Sequence, residues 1–476
     1  MPETIAATGA MGLLYSIFAG QGLVIIGVTG PVVFYVNTIV SVSNAIDAPF
    51  MQMMLWACFW CGLMHVAVAA SGATVLVKRV TSFSGECFGF FIATAYIYLG
   101  LKGILQTFWR NSDNDDDDVD AKTDSPTGRR GAAFAKLALA LLTYKLAISF
   151  HHARSWKIFQ EYGRDVVAQF GMVAAIFMCT ALSYTPVFDD GYVEVARLEV
   201  SGNFGKNIPI PLMGGGMKVW QVFFAIIPAT MLLVLFFFDH NVSSLLSQQK
   251  RFQLEKLPSY HYDFAVLGTI FALCGFFGVP PGNGLIPQAP LHVRALATIE
   301  NIDGKEVYRK IEEKRWSNFL QSALCLVTLL IMPIISMIPK AVLSGTFLYM
   351  GVSGLGDNGL FDRACGMLME PSRRPVLWLG GTEKPDWAQQ VTRYTLTQLA
   401  CVTVIFVISL NCFLGLDGPP ISISFPFFIA ALVPIREKIL PKFLSEEELE
   451  ILDPFDPTEE VPEEAEEKEE VLSEVE

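Results

Sequence analysis

The stretch GFFGVPPGNGLIPQAPLHVRAL, residues 275–296, decides how the rest of the sequence is interpreted. It is mostly apolar, yet glycine and proline recur throughout it. Proline removes backbone donors and glycine loosens the backbone, so a full-length helix is not expected here. Broken backbone at membrane depth persists only where it is buried in protein or lines a cavity. The stretch therefore predicts a half-helix that lines a substrate site.

The composition is that of a membrane protein. Of 476 residues, 52% are hydrophobic and 17% are charged, and the mean hydropathy is +0.43. Soluble domains carry about 25% charged residues, and long apolar segments recur along this chain, so we expect a polytopic membrane protein. The sequence contains no nucleotide-binding glycine motif. It indicates a secondary transporter rather than an enzyme, with no metal, no cofactor and no nucleic-acid partner.

A second interrupted segment lies near the N-terminus. Residues 11–42 form an apolar segment that is too long for one transmembrane helix and too short for two full ones. GQG at 20–22 and TGP at 29–31 divide them into a helix ending near Ala19, an extended piece at 23–28 and a half-helix from about Pro31. Further apolar membrane segments are expected at about residues 51–70, 84–105, 132–150, 165–183, 220–246, 267–277, 319–338, 341–355, 395–414 and 421–433.

Paired interruptions in matching places of two halves are typical of inverted-repeat transporters, whose binding sites lie near the membrane midplane. The N-termini of two half-helices would present free N–H groups and partial positive charge to one point, which suits a small anion. The alternative is that glycine and proline only kink ordinary spans. The predicted fold class is an all-α polytopic membrane protein with inverted repeats.

Loop charge predicts the orientation in the membrane. Lysine and arginine are concentrated in alternate loops, which places those loops in the cytosol: residues 78–79, 151–164, 250–256, 294–315 and 363–393. The aspartate-rich loop within 110–130 then lies outside. The same count places Met1 outside, which predicts that an outward-running first helix is missing.

The net charge of −13 comes from the C-terminal tail. Residues 445–476 contain sixteen acidic residues and one lysine. This composition predicts a disordered, solvated cytosolic segment. A docking role for a partner protein is the alternative.

Asp239 is the principal candidate within a span, because it follows the apolar run LLVLFFF at 232–238. A carboxylate there costs about 2.5–3.5 kcal/mol on insertion scales, so we expect a function in proton exchange. The alternative is an ion pair at the membrane edge. On a helix, the side chain of His240 points about 100° away from that of Asp239, so His240 is a weaker candidate than Asp239. Glu86 and Lys145 are secondary candidates that more readily form structural pairs.

Six long motifs occur along the chain in the order in which a known family has them. They are GQGLVIIGVTGPV (20–32), SGECFGFFIATAYIYLGLKGI (84–104), FFDHNVSSLLSQ (237–248), VPPGNGLIPQAPLHVRAL (279–296), RWSNFLQSALC (315–325) and IPKAVLSGTFLYMGVSGL (338–355). Over about residues 9–444 the sequence resembles the eukaryotic, in particular fungal, borate transporters of the anion-exchanger and bicarbonate-transporter family.

The resemblance implies fourteen transmembrane segments in two inverted sevens, with about thirteen present here and half-helices three and ten meeting at the midplane. A core domain would move against a gate domain in an elevator-like motion, and the gate would form a homodimer. The core would comprise residues 1–80 and 218–338. The gate would comprise residues 81–185 and 339–444, with an extracellular loop at 186–217 and the tail at 445–476.

The resemblance also places the substrate between the two half-helices, beside Asp239. The matching residues are Thr29, Gly30, Pro31 and Val32 in the first half and Asn283, Gly284, Pro287, Gln288 and Ala289 in the second. Chloride–bicarbonate exchangers look to carry an arginine at the position of Gln288. A neutral glutamine cannot supply a fixed cation, which favours borate over bicarbonate.

The leading hypothesis is a plasma-membrane exporter of borate. An exchanger of bicarbonate or another small inorganic anion is the second hypothesis. The third, from another class, is a transport-dead membrane scaffold whose acidic tail docks partners.

Overall fold

The computed structural model is mostly helical. It describes residues 2–109, 126–188, 195–198, 216–248, 252–286, 288–302, 305–356, 358–370, 374, 387–414 and 424–453. Within these ranges, seven helical stretches are long and apolar enough to cross a membrane: Phe50–Ala70, Ser82–Gln106, Gly131–Ser155, Glu161–Leu182, Val219–Ser247, Arg315–Ile335 and Trp387–Ser409. The predicted multi-pass membrane protein is confirmed.

The helices are named in chain order. They are α1 (Pro2–Phe18), α2 (Gly30–Ala45), α3 (Phe50–Ala70), α4 (Ser82–Trp109), α5 (Pro126–His151), α6 (Glu161–Leu182), α7 (Val219–Phe224), α8 (Ile226–Ser247), α9 (Tyr260–Phe276), α10 (Gln288–Ala295), α11 (Arg315–Val327), α12 (Met332–Ile335), α13 (Lys340–Gly356), α14 (Gly359–Leu368), α15 (Trp387–Leu414), α16 (Phe425–Ala430), α17 (Leu432–Lys438) and α18 (Glu446–Leu452). The strands are β1 (Ile26–Gly27), β2 (Asn283–Gly284), β3 (Ala297–Ile302) and β4 (Lys305–Ile311).

The chain forms two compact units. Unit 1 contains Met1–Gly85, Ser201–Leu330 and Thr403–Glu476, and unit 2 contains Glu86–Val200 and Ile331–Val402. The predicted assignment of core and gate domains stays a prediction.

Unit 1 contains the same order of helix, short strand, half-helix and helix twice. The first run is α1, β1, α2 and α3, and the second is α9, β2, α10 and α11, with the hairpin of β3 and β4 inserted before α11. The first helix of each run packs against the last helix of the other, since α1 lies on α11 and α9 lies on α3. The strands pair antiparallel, with Ile26 opposite Gly284 and Gly27 opposite Asn283. This exchange of partners is what inverted repeats produce, and it confirms the predicted fold class.

The interruptions lie where proline and glycine predict them. The first half-helix begins at Gly30 with a proline in its first turn, one residue before the predicted start. After α9, Gly278 adopts a left-handed conformation with φ of 62°, which favours glycine. Pro280 and Pro281 follow, and residues 279–282 belong to neither helix nor strand before β2 begins. The helix therefore cannot continue through residues 278–282.

Small residues allow the helices of unit 1 to pack closely. A Cβ added at Gly9 would lie 2.7 Å from Leu326 Cγ, and one at Gly275 would lie 2.7 Å from Cys58 Cβ. Between α3 and α9, the ring of His65 stacks on Phe264 with centroids 4.3 Å apart. His65 Nδ1 lies 2.7 Å from the carbonyl oxygen of Cys61, so this histidine is held within the core.

Unit 2 is built around α5, α6 and α13. Leu139, Cys179, Ala341 and Val342 form one of its buried clusters. A charged cluster lies elsewhere in this unit: Arg363 of α14 forms an ion pair with Glu86, and its Nη2 donates to Gln398 Oε1 at 2.8 Å. The side chain of Arg363 is only 6% exposed. The ion pair therefore lies largely out of contact with solvent.

Several elements differ from the sequence-based expectations. The span predicted at 319–338 lies mostly within the stretch Arg315–Ile335, but its helix is irregular, because α11 ends at Val327 and a 3₁₀ turn and the short α12, which contains Pro333, follow. The span predicted at 421–433 is divided into α16 and α17. The charged segment after α10 forms the hairpin of β3 and β4. Each of these features depends on local geometry that an apolar count does not contain.

The tail prediction is wrong for residues 445–453. Ser445 caps α18, since its side chain accepts from the Glu448 amide and the Glu448 carboxylate accepts from the Ser445 amide. Leu449 and Leu452 are buried. Asp453 accepts from the Phe83 amide at 2.8 Å. A capping box and two buried leucines order the segment despite its negative charge. Residues 454–476 lie outside the described part of the chain.

Candidate functional site

The candidate site lies in unit 1, where β1 and β2 cross beside α8. The strands are two residues long, and each leads toward a half-helix, α2 or α10. Leu285 donates to the Ile25 carbonyl at 2.9 Å, and Val28 donates to Thr8 Oγ1 at 3.3 Å. These bonds satisfy backbone groups that the broken helices leave open, as burial in a membrane protein requires.

Asp239 is held at the crossing by Asn283. Nδ2 of Asn283 donates to Asp239 Oδ2 at 2.7 Å, and both residues are buried. An ionised carboxylate only accepts hydrogen bonds, so the amide nitrogen faces it and Asn283 Oδ1 is directed elsewhere. Asp239 Oδ1 and Asn283 Oδ1 are both buried and without a hydrogen-bond partner among the described residues.

Gly284 brings β2 into close contact with α8. A Cβ at this position would lie 2.9 Å from Ser243 Cβ and 3.1 Å from both His240 Nδ1 and Ser243 Oγ. Only glycine permits this approach without movement of a neighbour. His240 Nε2 lies 3.5 Å from the Tyr15 hydroxyl. The strand therefore contacts two successive positions of α8, Asp239 through Asn283 and His240 through Gly284.

The buried polar atoms around α8 and at the start of α2 are largely unpaired. In the described part of the chain, atoms without a partner include Thr29 Oγ1, Asp239 Oδ1, His240 Nδ1, both amide atoms of Asn241, Ser243 Oγ and Asn283 Oδ1. Each unsatisfied buried group costs roughly 1–3 kcal/mol. Buried groups of this kind are normally satisfied by ordered water, by an ion or by a ligand. A small molecule rich in hydrogen-bonding groups suits this arrangement.

The structure brings most of the predicted residues to the two half-helix starts. Thr29 precedes the first turn of α2, which contains Gly30, Pro31 and the buried Val32. Ala289 is buried in the first turn of α10. Gln288 begins α10, and its side chain is exposed. Pro287 lies outside the described residues. The assignment of these positions to substrate binding stays a prediction.

The two secondary candidates in unit 2 differ in their surroundings. Glu86 pairs with Arg363 and accepts from Gln398 Nε2 at 2.9 Å, which is the structural pairing considered from the sequence. Lys145 is exposed on α5. Their roles as site residues stay predictions.

Sequence reasoning did not select Ser243, Asn241 and Tyr15. Ser243 follows Asp239 by four positions and so lies on the same helix face, a signal that was available. His240 was ranked low from helix periodicity alone. Helix periodicity does not show that two successive residues of β2 contact Asp239 and His240, although these side chains point in different directions on α8.

Comparison with known proteins identifies the family. The family model for the HCO3- transporter integral membrane domain matches residues 1–125 and 110–457. The chain belongs to this family. It is therefore a multi-pass membrane protein of a transporter family, which confirms the resemblance seen in the motifs.

Individual relatives are similar over most of the chain. The probable boron transporter 3 of Arabidopsis thaliana is 28% identical, covering 95% of this chain and 72% of the relative. Boron transporter 1 of Saccharomyces cerevisiae is 29% identical, covering 78% of this chain and 63% of the relative. The transmembrane domain of the cyanobacterial bicarbonate transporter BicA has the same fold, with a TM-score of 0.54, 16% identity and coverage of 84% and 88%.

Proposed function

We propose that this protein is a secondary active transporter that exports borate across the plasma membrane. The observation that carries the proposal is the Asp239–Asn283 pair, which leaves one acceptor oxygen on each residue buried and unpaired at the strand crossing. Every oxygen of boric acid and of borate bears a hydrogen and can donate a bond to such acceptors, whereas bicarbonate has a single hydroxyl group. The boron transporters among the relatives support the same substrate.

Charge at the site favours joint handling of a proton and the anion. The start of α2 contributes partial positive charge, which stabilises a bound anion. An ionised Asp239 would repel borate, because like charges in a partly dry site interact strongly. We therefore propose that borate binds when Asp239 carries a proton on Oδ1, so that this O–H donates to a borate oxygen while Asn283 Oδ1 accepts from a borate hydroxyl. Loss of the proton would favour release of the anion.

The remaining parts of the proposal follow the family resemblance. Transport would proceed by elevator-like movement of a core domain against a gate domain that forms a homodimer. The basic loops and the tail would lie in the cytosol.

The test is expression of the full chain in boron-sensitive cells that lack their own exporter, with intracellular boron measured by mass spectrometry. The chain should lower boron, and Asp239→Asn should abolish the effect at equal surface abundance. Asp362→Asn makes the same isosteric change at an exposed position of α14 and should export normally. Unchanged boron with the unmodified chain at the cell surface would refute the proposal.

Bicarbonate is the second candidate, because the family model is described as an HCO3- transporter. Changing external bicarbonate while recording cytosolic pH separates the two. A strong pH response without added boron would favour bicarbonate, and a response that requires boron would favour borate.

A further inference from the structure

The loop that leads from α1 into β1, residues 19–24, is held by side chains of the second repeat. This loop contains the GQG sequence and lies outside helix and strand, and its Ala19 amide still donates to the Tyr15 carbonyl at 2.9 Å. Four residues surround it: Asp263 of α9, His292 of α10, and Arg315 and Asn318 of α11. We call these four residues the cradle.

The cradle satisfies consecutive carbonyl groups of the loop. Asn318 Nδ2 donates to Gly22 at 3.0 Å and to Val24 at 2.8 Å. His292 Nδ1 lies 2.8 Å from the Leu23 carbonyl, and since a carbonyl only accepts, this nitrogen carries the hydrogen. Arg315 Nη2 donates to the Gly20 carbonyl at 2.9 Å.

The same residues engage the start of the loop. The Gly20 amide donates to Asp263 Oδ1 at 2.6 Å, and the Gln21 amide donates to Asp263 Oδ2 at 3.3 Å. Arg315 Nη1 donates to the carbonyls of Ser16 and Ile17, the last turn of α1, where a cation is favourable. The backbone of the loop is thus fixed at both ends.

The glycines of GQG are explained by these contacts. A Cβ at Gly20 would lie 2.6 Å from Ser259 Cβ, and one at Gly22 would lie 2.7 Å from Arg315 Cγ. The RWSN sequence at 315–318 supplies Arg315, Asn318 and also Ser317, whose hydroxyl lies 2.8 Å from His292 Nε2. The GQG and RWSN motifs, to which the proposed transport mechanism gives no role, therefore contact each other at the cradle.

We propose that the cradle residues are positioning residues that set the register of β1 against β2. Val24, the last loop residue held, is two residues before Ile26, which pairs with Gly284. A shift of the loop would move Thr29 and the start of α2 relative to Asp239. The cradle thereby controls substrate affinity without contacting substrate. This inference rests on the proposed binding site.

The decisive comparison is Asn318→Ala against Asn318→Asp in the full chain. Asp has nearly the same shape as Asn but would direct oxygen at two carbonyls. If donation matters, Asn318→Ala should raise the half-saturating borate concentration about tenfold, and Asn318→Asp should raise it further. If Asn318 only fills space, Asn318→Asp should transport normally and Asn318→Ala should be the weaker variant, which would overturn the proposal.

A matched control is Gln321→Ala, one turn further along α11, whose described side-chain bonds stay within that helix. It should leave half-saturation within about twofold, as expected for a partly exposed side chain. A purely structural role for Asn318 would lower surface abundance and maximal rate without changing half-saturation, and this result would also contradict the inference. If Asn318 variants do not fold, Arg315→Lys retains the charge, loses the planar fork and should raise half-saturation similarly.

Hydrogen–deuterium exchange supplies a readout that does not depend on the substrate. In Asn318→Ala, amides of residues 19–28 should exchange at least about tenfold faster, while those of α3 stay unchanged. Unchanged exchange in the loop would refute the cradle. Faster exchange in a chain whose unmodified form moves no boron would refute the proposed function and leave the cradle supported.

Discussion

Replacing Gly284 with alanine tests the contact between β2 and α8. The added Cβ would lie 2.9 Å from Ser243 Cβ and 3.1 Å from His240 Nδ1. Ser243 Cβ is bonded directly to the backbone of α8, so it cannot move aside as the end of a flexible side chain could. Overpacking of this kind costs about 1–3 kcal/mol. The equilibrium constant for seating β2 on α8 should fall by between about fivefold and about 160-fold.

The assay is borate export at equal surface abundance, together with thermal unfolding of the purified protein. Gly284→Ala should lose most of its export and unfold at a lower temperature. Gly85→Ala is the matched control, because a Cβ at Gly85 meets nothing within 4 Å and alanine is favourable inside α4.

A double-mutant cycle tests the stated cause. Ser243→Gly removes two of the three atoms that the new Cβ would meet. It should itself cost about 1 kcal/mol as a glycine within a helix. Gly284→Ala should nevertheless be less damaging in the Ser243→Gly background than alone, with a coupling of about 0.5–3 kcal/mol. Additive effects, or normal export by Gly284→Ala, would refute the reasoning.

Two further predictions concern stability and are measured by thermal unfolding in detergent. Arg363→Ala should destabilise unit 2 by about 3–5 kcal/mol, because it leaves Glu86 without its buried partner; an unchanged unfolding temperature would contradict this. Asp453→Ala removes both the acceptor of the Phe83 amide and the ion-pair partner of Arg436, and should cost at least about 1–2 kcal/mol, whereas Glu450→Ala at an exposed position of the same tail should be neutral. Equal effects of the two tail variants would contradict this prediction.

The sequence was sufficient for the long helices and for the two interruptions. Apolar runs such as LLVLFFF before Asp239 predict spans, since a bilayer demands length and hydropathy. Proline at 31, 280 and 281 forbids continuous helices for covalent reasons. These rules act locally, so the start of α2 could be predicted to within one residue.

The candidate site could be predicted only in part, because its geometry depends on residues far apart in the chain. The pairing of Ile26 with Gly284 sets which side chains of α8 face the strand, and no local rule contains that register. The close approach of Gly284 to Ser243 and His240 depends on the same register.

The prediction of disorder for the tail was wrong at residues 445–453 for a different reason, because it rested on composition and did not use a local helix-capping motif. Sixteen acidic residues predict disorder, but S-E-E-E at 445–448 contains a capping box that is visible in the sequence. The segment is short, and an average over the whole tail conceals it.

The pairing of β1 with β2 also constrains how the protein is made. The partners of Ile26 and Gly27 are Gly284 and Asn283, about 260 residues later in the chain. At translation speeds of about 5–20 residues per second, the first strand exists for roughly 13 to 50 s before its partner is synthesised. During biosynthesis its polar backbone must be sheltered by water, by the insertion machinery or by a chaperone. The first repeat is thus inserted as an unfinished half, and the candidate site is completed only when the second repeat arrives.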